Sequence, residues 1–466
     1  MVIAILALLI GLSLVLALRR SRAGHGRSVL DFFVASRQLN PIALFCLAAG
    51  EMYGIGTLIG FPGGVYSVGA TYAVWYIGYL LLAFPVGYFL APRLWLAGKQ
   101  YSAVTLPDLF KGHFSSRTLE LVVAAMSIAF LIPWGQLQLI GVIVAVKVLG
   151  WHLPSYVVMT VTCTLSLVYV VVAGLRSSSQ VVALKDGLLL IAIVATGAAA
   201  IAGAGGISPL FSAGGKQIVT LLSQQNLNFA MSTVVFQALG FYLIPLVPQA
   251  LFSARSPDIL RRVHIVMPLY MLFFPFLLFT TYHAAMRPGA ISAPTDIFLA
   301  TALHVLPPWA LGIVTAATAL TGMFVLASTC LAISSLVVRN IVPSLPEHRQ
   351  TRWARFTIAG FLIVCAALLS VSSQFAISLV NLTYMGVAQF LPGVAAILLN
   401  RKIRPVALVT GMVCGQSFAI IALLAGYRFD GVNIGALSLL VNFATAEGLH
   451  IWLQRRHGQS RYGQGA

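Results

Sequence analysis

The sequence is poor in charge, and poorest in negative charge. Only 8% of its 466 residues are charged, and ten are Asp or Glu. An average soluble domain is roughly 25% charged, so a soluble globule is excluded. Cysteine is scarce too. Cys46, Cys163, Cys330, Cys365 and Cys414 each fall in an apolar stretch and form no CxxC pair, which argues against a disulfide framework or thiolate metal site. There is no HExxH, no GxSxG and no paired carboxylate set, so no enzyme active site of those kinds can be drawn. The alternating segments of a transmembrane barrel are also missing. The net charge of +18 does not indicate nucleic acid, because the bases lie in short segments between apolar runs and not on one patch.

What remains is apolar: 59% of the chain is hydrophobic. Spans near the twenty residues that a bilayer requires can be drawn at 2–18, 41–65, 70–95, 117–147, 154–174, 181–204, 228–251, 263–285, 309–339, 354–372, 375–399, 404–426 and 431–453. The first lacks a basic leader and a small-residue cleavage site, so a retained helix is expected and not a signal peptide. With the N-terminus outside, the clusters Arg19–Arg20–Arg22, Lys99–Lys111–Arg117, Arg349–Arg352–Arg355 and Arg401–Lys402–Arg404 all fall inside. Only Lys216, Arg287 and Arg428 fall in outside loops, and Lys147 and Lys185 sit in or at the edge of spans. One missed or extra helix would invert every later loop, so this asymmetry supports both the drawing and the orientation. The longest loops, near 205–227 and 286–308, face outside.

One span is anomalous. Ala48–Tyr66, AAGEMYGIGTLIGFPGGVY, holds Gly50, Gly54, Gly56, Gly60, Gly63, Pro62 and the ionisable Glu51. Glycine and proline loosen helical hydrogen bonding, and a carboxylate at membrane depth costs several kcal/mol. Irregular backbone survives there only beside protein or a wet cavity. The stretch reads either as a kinked helix packed through small residues or as a broken helix lining a solute site. ALGFYLIPLVPQALF at 238–252 repeats the pattern with Gly240, Pro245 and Pro248. Paired interruptions of this kind are the best sequence pointer to a transport site.

From Asp31 to about Trp452 the chain resembles the sodium:solute symporter family. The matching stretches are DFFVASRQL at 31–39, GFPGGVY at 60–66, TLPD at 105–108, QLIG at 138–141, GLR at 174–176, SARS at 253–256 and AISSLVVRNI at 332–341. Each is weak alone; their order on the matching spans carries the resemblance. The first half (AGE, GTLIG, TLPDLF) is most similar to the monocarboxylate-permease-like branch, within the APC superfamily. The resemblance implies an all-α polytopic membrane protein with a leucine-transporter-type five-plus-five inverted repeat, one leading and two trailing helices, about 13 in all. It divides a single transporter domain (1–466) into a leading helix and cytoplasmic loop (1–40), a first repeat (41–204), a second repeat (228–400), two trailing helices (401–455) and a cytoplasmic tail (456–466).

The resemblance also implies a coupling-ion site. In the family, backbone carbonyls of the first broken helix and side chains of the helix at 309–339 hold sodium, a hard cation that wants oxygen. The matching positions are Gly50 and Tyr53 for the carbonyls, then Thr321, Phe324 and Val325. Phe324 and Val325 stand where the family has hydroxyls, and a family acid after GLR falls on Val182. A register one turn away would bring in Thr315, Thr318, Ser328 or Thr329. These departures weaken sodium coupling and turn attention to Glu51. A desolvated carboxylate there could carry a proton; the alternative is a fixed acceptor for freed backbone N–H groups. Lys185 and Asp186 form a second membrane-level pair. Neighbours on a helix do not face each other, so Lys185 is expected to snorkel to the inner interface, with a gate or relay as the alternative. Glu447 is expected to pack or to meet the lipid interface.

Tyr53, Trp134, Gln136, Gln138, Gln237, Tyr242, Tyr384 and Gln389 are polar groups near the breaks, with Glu51, Tyr53, Gln138, Gln237, Tyr242 and Tyr384 the candidates for solute and proton. Interhelical hydrogen bonding accounts equally well for any single glutamine. Helix-break N-termini favour a carboxylate, so a small monocarboxylate or an amino acid is the expected solute, moved by alternating access. No organic cofactor is expected, with Na+ or H+ as the coupling ion. The expected partners are the solute and membrane lipid, with no nucleic acid, in a monomer or loose homo-oligomer. The expected location is a prokaryotic plasma membrane, N-terminus outside and C-terminus cytoplasmic. A transporter-like membrane sensor without its own output domain is the alternative.

Overall fold

The computed structural model describes residues 2–21, 33, 34, 37, 39, 41–148, 150, 153–218, 223–287, 289, 291–371 and 376–462; the side chains of 16–21, 43, 51, 52, 171–181, 216, 217, 347, 348, 376–378 and 457–462 lie outside the description. Among these residues nine helices are long and apolar enough to cross a membrane, and ten when the bent pair Gln224–Leu243 and Leu246–Phe252 counts as one span. The other predicted spans fall on shorter helical pieces.

The leading helix α1 (Val2–Ser21) precedes α2 (Pro41–Met52). After a turn, five π-helical residues (Gly56–Gly60) lead into α3 (Phe61–Val68) and then α4 (Ala70–Gln100). Between α3 and α4 the chain turns on Gly69 at φ 94°, a conformation only glycine adopts readily. A short helix, α5 (Leu106–Phe114), leads to α6 (Arg117–Val148). The backbone of α7 (Ser155–Gly203) is helical across both the 154–174 and 181–204 spans, including the link that the sequence reading leaves as a loop. The polar run RSSSQ at 176–180 contains neither Gly nor Pro and does not break a helix.

The two longest loops drawn from the sequence, near 205–227 and 286–308, hold helices of their own. They contain α8 (Ile207–Ile218) and, beyond the broken pair α9 (Gln224–Gly240) and α10 (Leu246–Phe252) and the helices α11 (Pro257–Val266) and α12 (Phe274–Ala285), also α13 (Ile297–Val305). Apolar periodicity too short to span a bilayer still folds when a face can be buried, as Leu210, Ile297, Phe298 and Leu299 are.

α14 (Pro308–Leu336) is the axis of the bundle. Its apolar window is 94% buried, against 28% for the window of α15 (Glu347–Val371). In that dry interior Thr315, Thr318, Thr321 and Thr329 each donate to the carbonyl four residues back, at 2.7–2.9 Å, which satisfies the hydroxyl protons within the helix.

α16 (Ala376–Val387) and α17 (Leu391–Leu398) are followed by α18 (Pro405–Leu424) and α19 (Ile434–Tyr462). α18 and α19 meet through Gly411 and Gly415, the small-xxx-small pattern that lets membrane helices approach closely. A Cβ on Gly415 would lie 2.4 Å from Gln389 Oε1. The Asn442 amide donates to the Gln389 carbonyl and to Oε1 at 2.8 and 3.0 Å, and Gln389 Nε2 donates to Ser438 at 2.9 Å. Gln389 is therefore an interhelical anchor. Asn442→Leu is expected to destabilise by about 1 kcal/mol, since membrane interhelical hydrogen bonds are worth about 0.6–1.7 kcal/mol. Thermal unfolding in detergent checks this, and no loss would remove the anchor role. Glu447 accepts both Arg401 guanidinium hydrogen bonds, at 2.6 and 3.0 Å, which ties α19 to the turn before α18.

Candidate functional site

Both predicted interruptions are present. In the first, Tyr53 and Gly54 leave the helix between α2 and the π-turns. The neighbouring helices are notched to receive it. A Cβ on Gly141 would lie 2.4 Å from the Ile55 side chain, and one on Gly322 would lie 2.9 Å from the Gln138 carbonyl and 3.6 Å from Ile55. In the second, 3-10 geometry at Phe241–Leu243 gives way to extended Ile244 (φ −63°, ψ 120°), and the two halves bend by 54°.

Aromatic rings fill the space beside the first break. Tyr72, Trp75, Tyr76 and Tyr79 recur on α4 at one-turn spacing, so they share a face. The Tyr76 ring lies 5.4 Å from Phe61 and 6.1 Å from Phe274, and Tyr79 lies 5.9 Å from Tyr384. The Thr57 and Tyr76 hydroxyls hydrogen bond at 2.9 Å. Tyr53 donates to the Tyr270 carbonyl, and its ring lies 5.4 Å from Phe274. Tyr53 and Tyr384 thus border one continuous aromatic cluster. The Tyr384 ring also lies 3.0 Å from where a Gly240 Cβ would stand, which brings the second broken helix to the same cluster.

Gln237 is fully buried and donates to Asn381 Oδ1 at 2.8 Å, while its own Oε1 has no partner among the described residues. Asn381 in turn lines a cavity of about 370 Å³ with Gln225, Asn226, Met385, Arg428 and Asn433. Gln138 donates to the Trp134 carbonyl at 3.2 Å, and its Oε1 and the Trp134 indole N–H are likewise buried without partners among the described residues. Tyr242 does not join the ring cluster by a ring contact. It donates to the Ala83 carbonyl at 2.8 Å and lines a small apolar cavity with His264 and Leu44. Of these groups, the sequence reading missed Asn381, Thr57 and Tyr76; the tyrosine spacing on α4 was the available signal for the last.

At the expected ion positions, Thr321 donates to the Ala317 carbonyl at 2.7 Å, the Phe324 ring lies 6.2 Å from Tyr169, and Val325 is buried. Tyr169 hydrogen bonds Ser13 of the leading helix, so Phe324 takes part in holding α1. The Glu51 backbone belongs to the last turn of α2, and its side chain lies outside the described residues. Lys185 corrects the expectation that it snorkels. Its side chain is 1% exposed, its Nζ donates to the Gly50 carbonyl at 3.2 Å, and Asp186 Oδ1 lies 2.8 Å away. The lysine chain is long enough to curl back to its sequence neighbour, which the helix-spacing rule for facing pairs does not anticipate.

Several of the matched short stretches meet in one cluster. Asp108 closes a capping box with Thr105 at the start of α5 and accepts from the Asn340 amide (2.7 Å) and Arg339 (3.2 Å). The same Asn340 amide donates to fully buried Glu120 at 2.9 Å, and Arg117 pairs with Glu120 at 2.7 Å. Leu39 bridges Ala254, its N–H donating to the Ser253 carbonyl at 3.1 Å, and Arg37 donates to the Ala103 carbonyl at 2.7 Å.

A sequence model of the sodium:solute symporter family matches residues 32–414. The chain belongs to that family. It is 29% identical over 453 residues to an uncharacterized symporter, YhjB, of Bacillus subtilis (strain 168), covering 91% of each chain. It is 26% identical over 444 residues to a monocarboxylate transport permease protein of Rhizobium johnstonii, covering 89% of each. Its fold is similar to that of a Na+-coupled sialic acid symporter (TM-score 0.79, 16% identity, 96% and 97% of the two chains). It is also similar to MhsT in complex with L-phenylalanine (TM-score 0.57, 12% identity, 88% and 99%). This symporter-family member therefore has the leucine-transporter-type fold and is a multi-pass secondary transporter, not an enzyme.

Proposed function

We propose that this symporter-family protein carries a small monocarboxylate, or an amino acid as the nearest alternative, across a prokaryotic plasma membrane by alternating access, with its N-terminus outside. The observation that carries the reading is the cavity beside Asn381. It is lined by Arg428, one of the few bases expected outside, and by Asn381, whose Oδ1 accepts from buried Gln237 of the second broken helix. A cation and several amides lining one cavity suit a carboxylate with a short polar body. The relationship to a monocarboxylate permease supports the same solute class. Coupling to protons, with Glu51 as the titrating group beside the first break, is part of the proposal. Its motive is the apolar character of Phe324 and Val325 at positions the family uses for sodium.

The test is uptake of radiolabelled pyruvate, lactate, acetate and amino acids by proteoliposomes under imposed proton and sodium gradients. One monocarboxylate is expected to accumulate under an inward proton gradient at least tenfold faster than without it, and Glu51→Gln is expected to abolish that stimulation. Sodium-driven accumulation that persists in Glu51→Gln would sink the proton proposal. Uptake of none of the carboxylates would sink the solute assignment.

A further inference from the structure

The Gly50 carbonyl is the first of the two main-chain oxygens that the family offers to a coupling sodium, and here a side-chain cation already holds it. Lys185 reaches in from α7 and donates to that oxygen at 3.2 Å, with its ammonium 1% exposed. The absence of a side chain at position 50 is what admits it. A Cβ there would stand 2.9 Å from Lys185 Nζ and 3.1 Å from Asp186 Oδ1. Asp186 supplies the counter-charge at 2.8 Å, and its Oδ2 is buried without a partner among the described residues. Opposite, the oxygen set that would complete a sodium shell is not assembled. Of the three expected positions only Thr321 carries a side-chain oxygen; Phe324 is turned toward Tyr169, and Val325 is hydrocarbon. A sodium ion bound to the Gly50 carbonyl would also stand within a few ångströms of a buried ammonium, where like charges repel strongly. The residues present do not fit sodium at this position.

We propose that the Lys185 ammonium is a tethered cation in the place of the coupling sodium. It carries the same unit charge to the same carbonyl, but on a covalent stem, so it ties the first broken helix to α7 without an ion from solution. Asp186 neutralises it in the way that ligand carboxylates neutralise bound metals. The site then needs no sodium, and the carrier works in its absence. The solute assignment above enters this inference only through the uptake arm of its test.

The first arm needs no solute. Purified protein in detergent is titrated with NaCl against choline chloride at constant ionic strength, and unfolding temperature and radiolabelled sodium binding are followed. Wild type is expected to show the same unfolding temperature in both salts and no saturable sodium binding. Lys185→Ala frees the carbonyl and leaves Asp186 beside it, so saturable, sodium-specific stabilisation is expected to appear in that variant. Lys185→Ser carries the same expectation if the alanine variant does not fold. A lysine with a merely structural role would leave both proteins blind to sodium. That result, or sodium binding by wild type, overturns the proposal. In the uptake arm, replacing sodium by choline is expected to change the wild-type rate by less than twofold, and a tenfold loss overturns the proposal. A protein that transports none of the solutes fails the solute assignment alone, because the sodium titration still reads Lys185.

Discussion

Asn340→Leu is expected to destabilise the protein by about 3 kcal/mol, more than the loss of a typical single hydrogen bond. One amide group serves two carboxylates, donating to Asp108 at 2.7 Å and Glu120 at 2.9 Å, while its carbonyl accepts from Thr105 at 2.8 Å. Leucine is close in volume, so packing survives. What is lost is the amide that joins two acids, one of them fully buried. Each would be left with an unpaired oxygen facing the other. Lys111 and Arg117 pair with the other Glu120 oxygen and Arg339 with the other Asp108 oxygen. Asn340 sits in the π-helical turn Val337–Ile341, which carries it and Arg339 together onto Asp108. The same variant disconnects α5 and α6 from the end of α14, so uptake is expected to fall with stability. The control is Thr105→Val, which removes one hydroxyl and is expected to cost about 1 kcal/mol. Equal unfolding shifts for the two variants would show that Asn340 does not bridge the acids.

The second large effect is expected at Gly87. An alanine Cβ there would lie 1.8 Å from the Tyr242 hydroxyl and 2.3 Å from His264 Cδ2. Tyr242 belongs to the second helix break and is held by its hydrogen bond to Ala83 one turn away on the same helix. It cannot withdraw without giving up that bond and moving the break. Gly87→Ala is therefore expected to cost about 3 kcal/mol, at the upper end of overpacking, and to reduce uptake at least tenfold. Combining it with Tyr242→Ala is expected to return more than half of the lost stability, because the two changes share one volume. Additive losses in the double variant would place the damage elsewhere.

Much of this architecture was legible before the fold was known, and for local reasons. Apolar length marks a span. Gly54 and Pro62 in one span, and Gly240, Pro245 and Pro248 in another, weaken helical hydrogen bonds wherever they occur, so both breaks could be placed from the residues alone. The ordered short stretches carried the family. The latch of Asp108, Asn340 and Glu120 was not legible in the same way. TLPD and RNI could be matched as motifs, but that Asp108 meets Asn340 depends on α5 folding back under α14, a contact between residues 232 apart.

Ala48–Tyr66 shows where the boundary lies. Its glycines, its proline and its lone acid determined that the chain breaks there, since those properties act within a turn or two of backbone. They also made Gly50 a position of interest. Which cation meets the Gly50 carbonyl was a matter of tertiary structure. Spacing along one helix predicted that Lys185 would turn to the lipid interface and ignore its neighbour Asp186. Packing of α2 against α7 instead buried both, and brought the ammonium to a carbonyl 135 residues away. A buried charge needs its partners from wherever the fold supplies them.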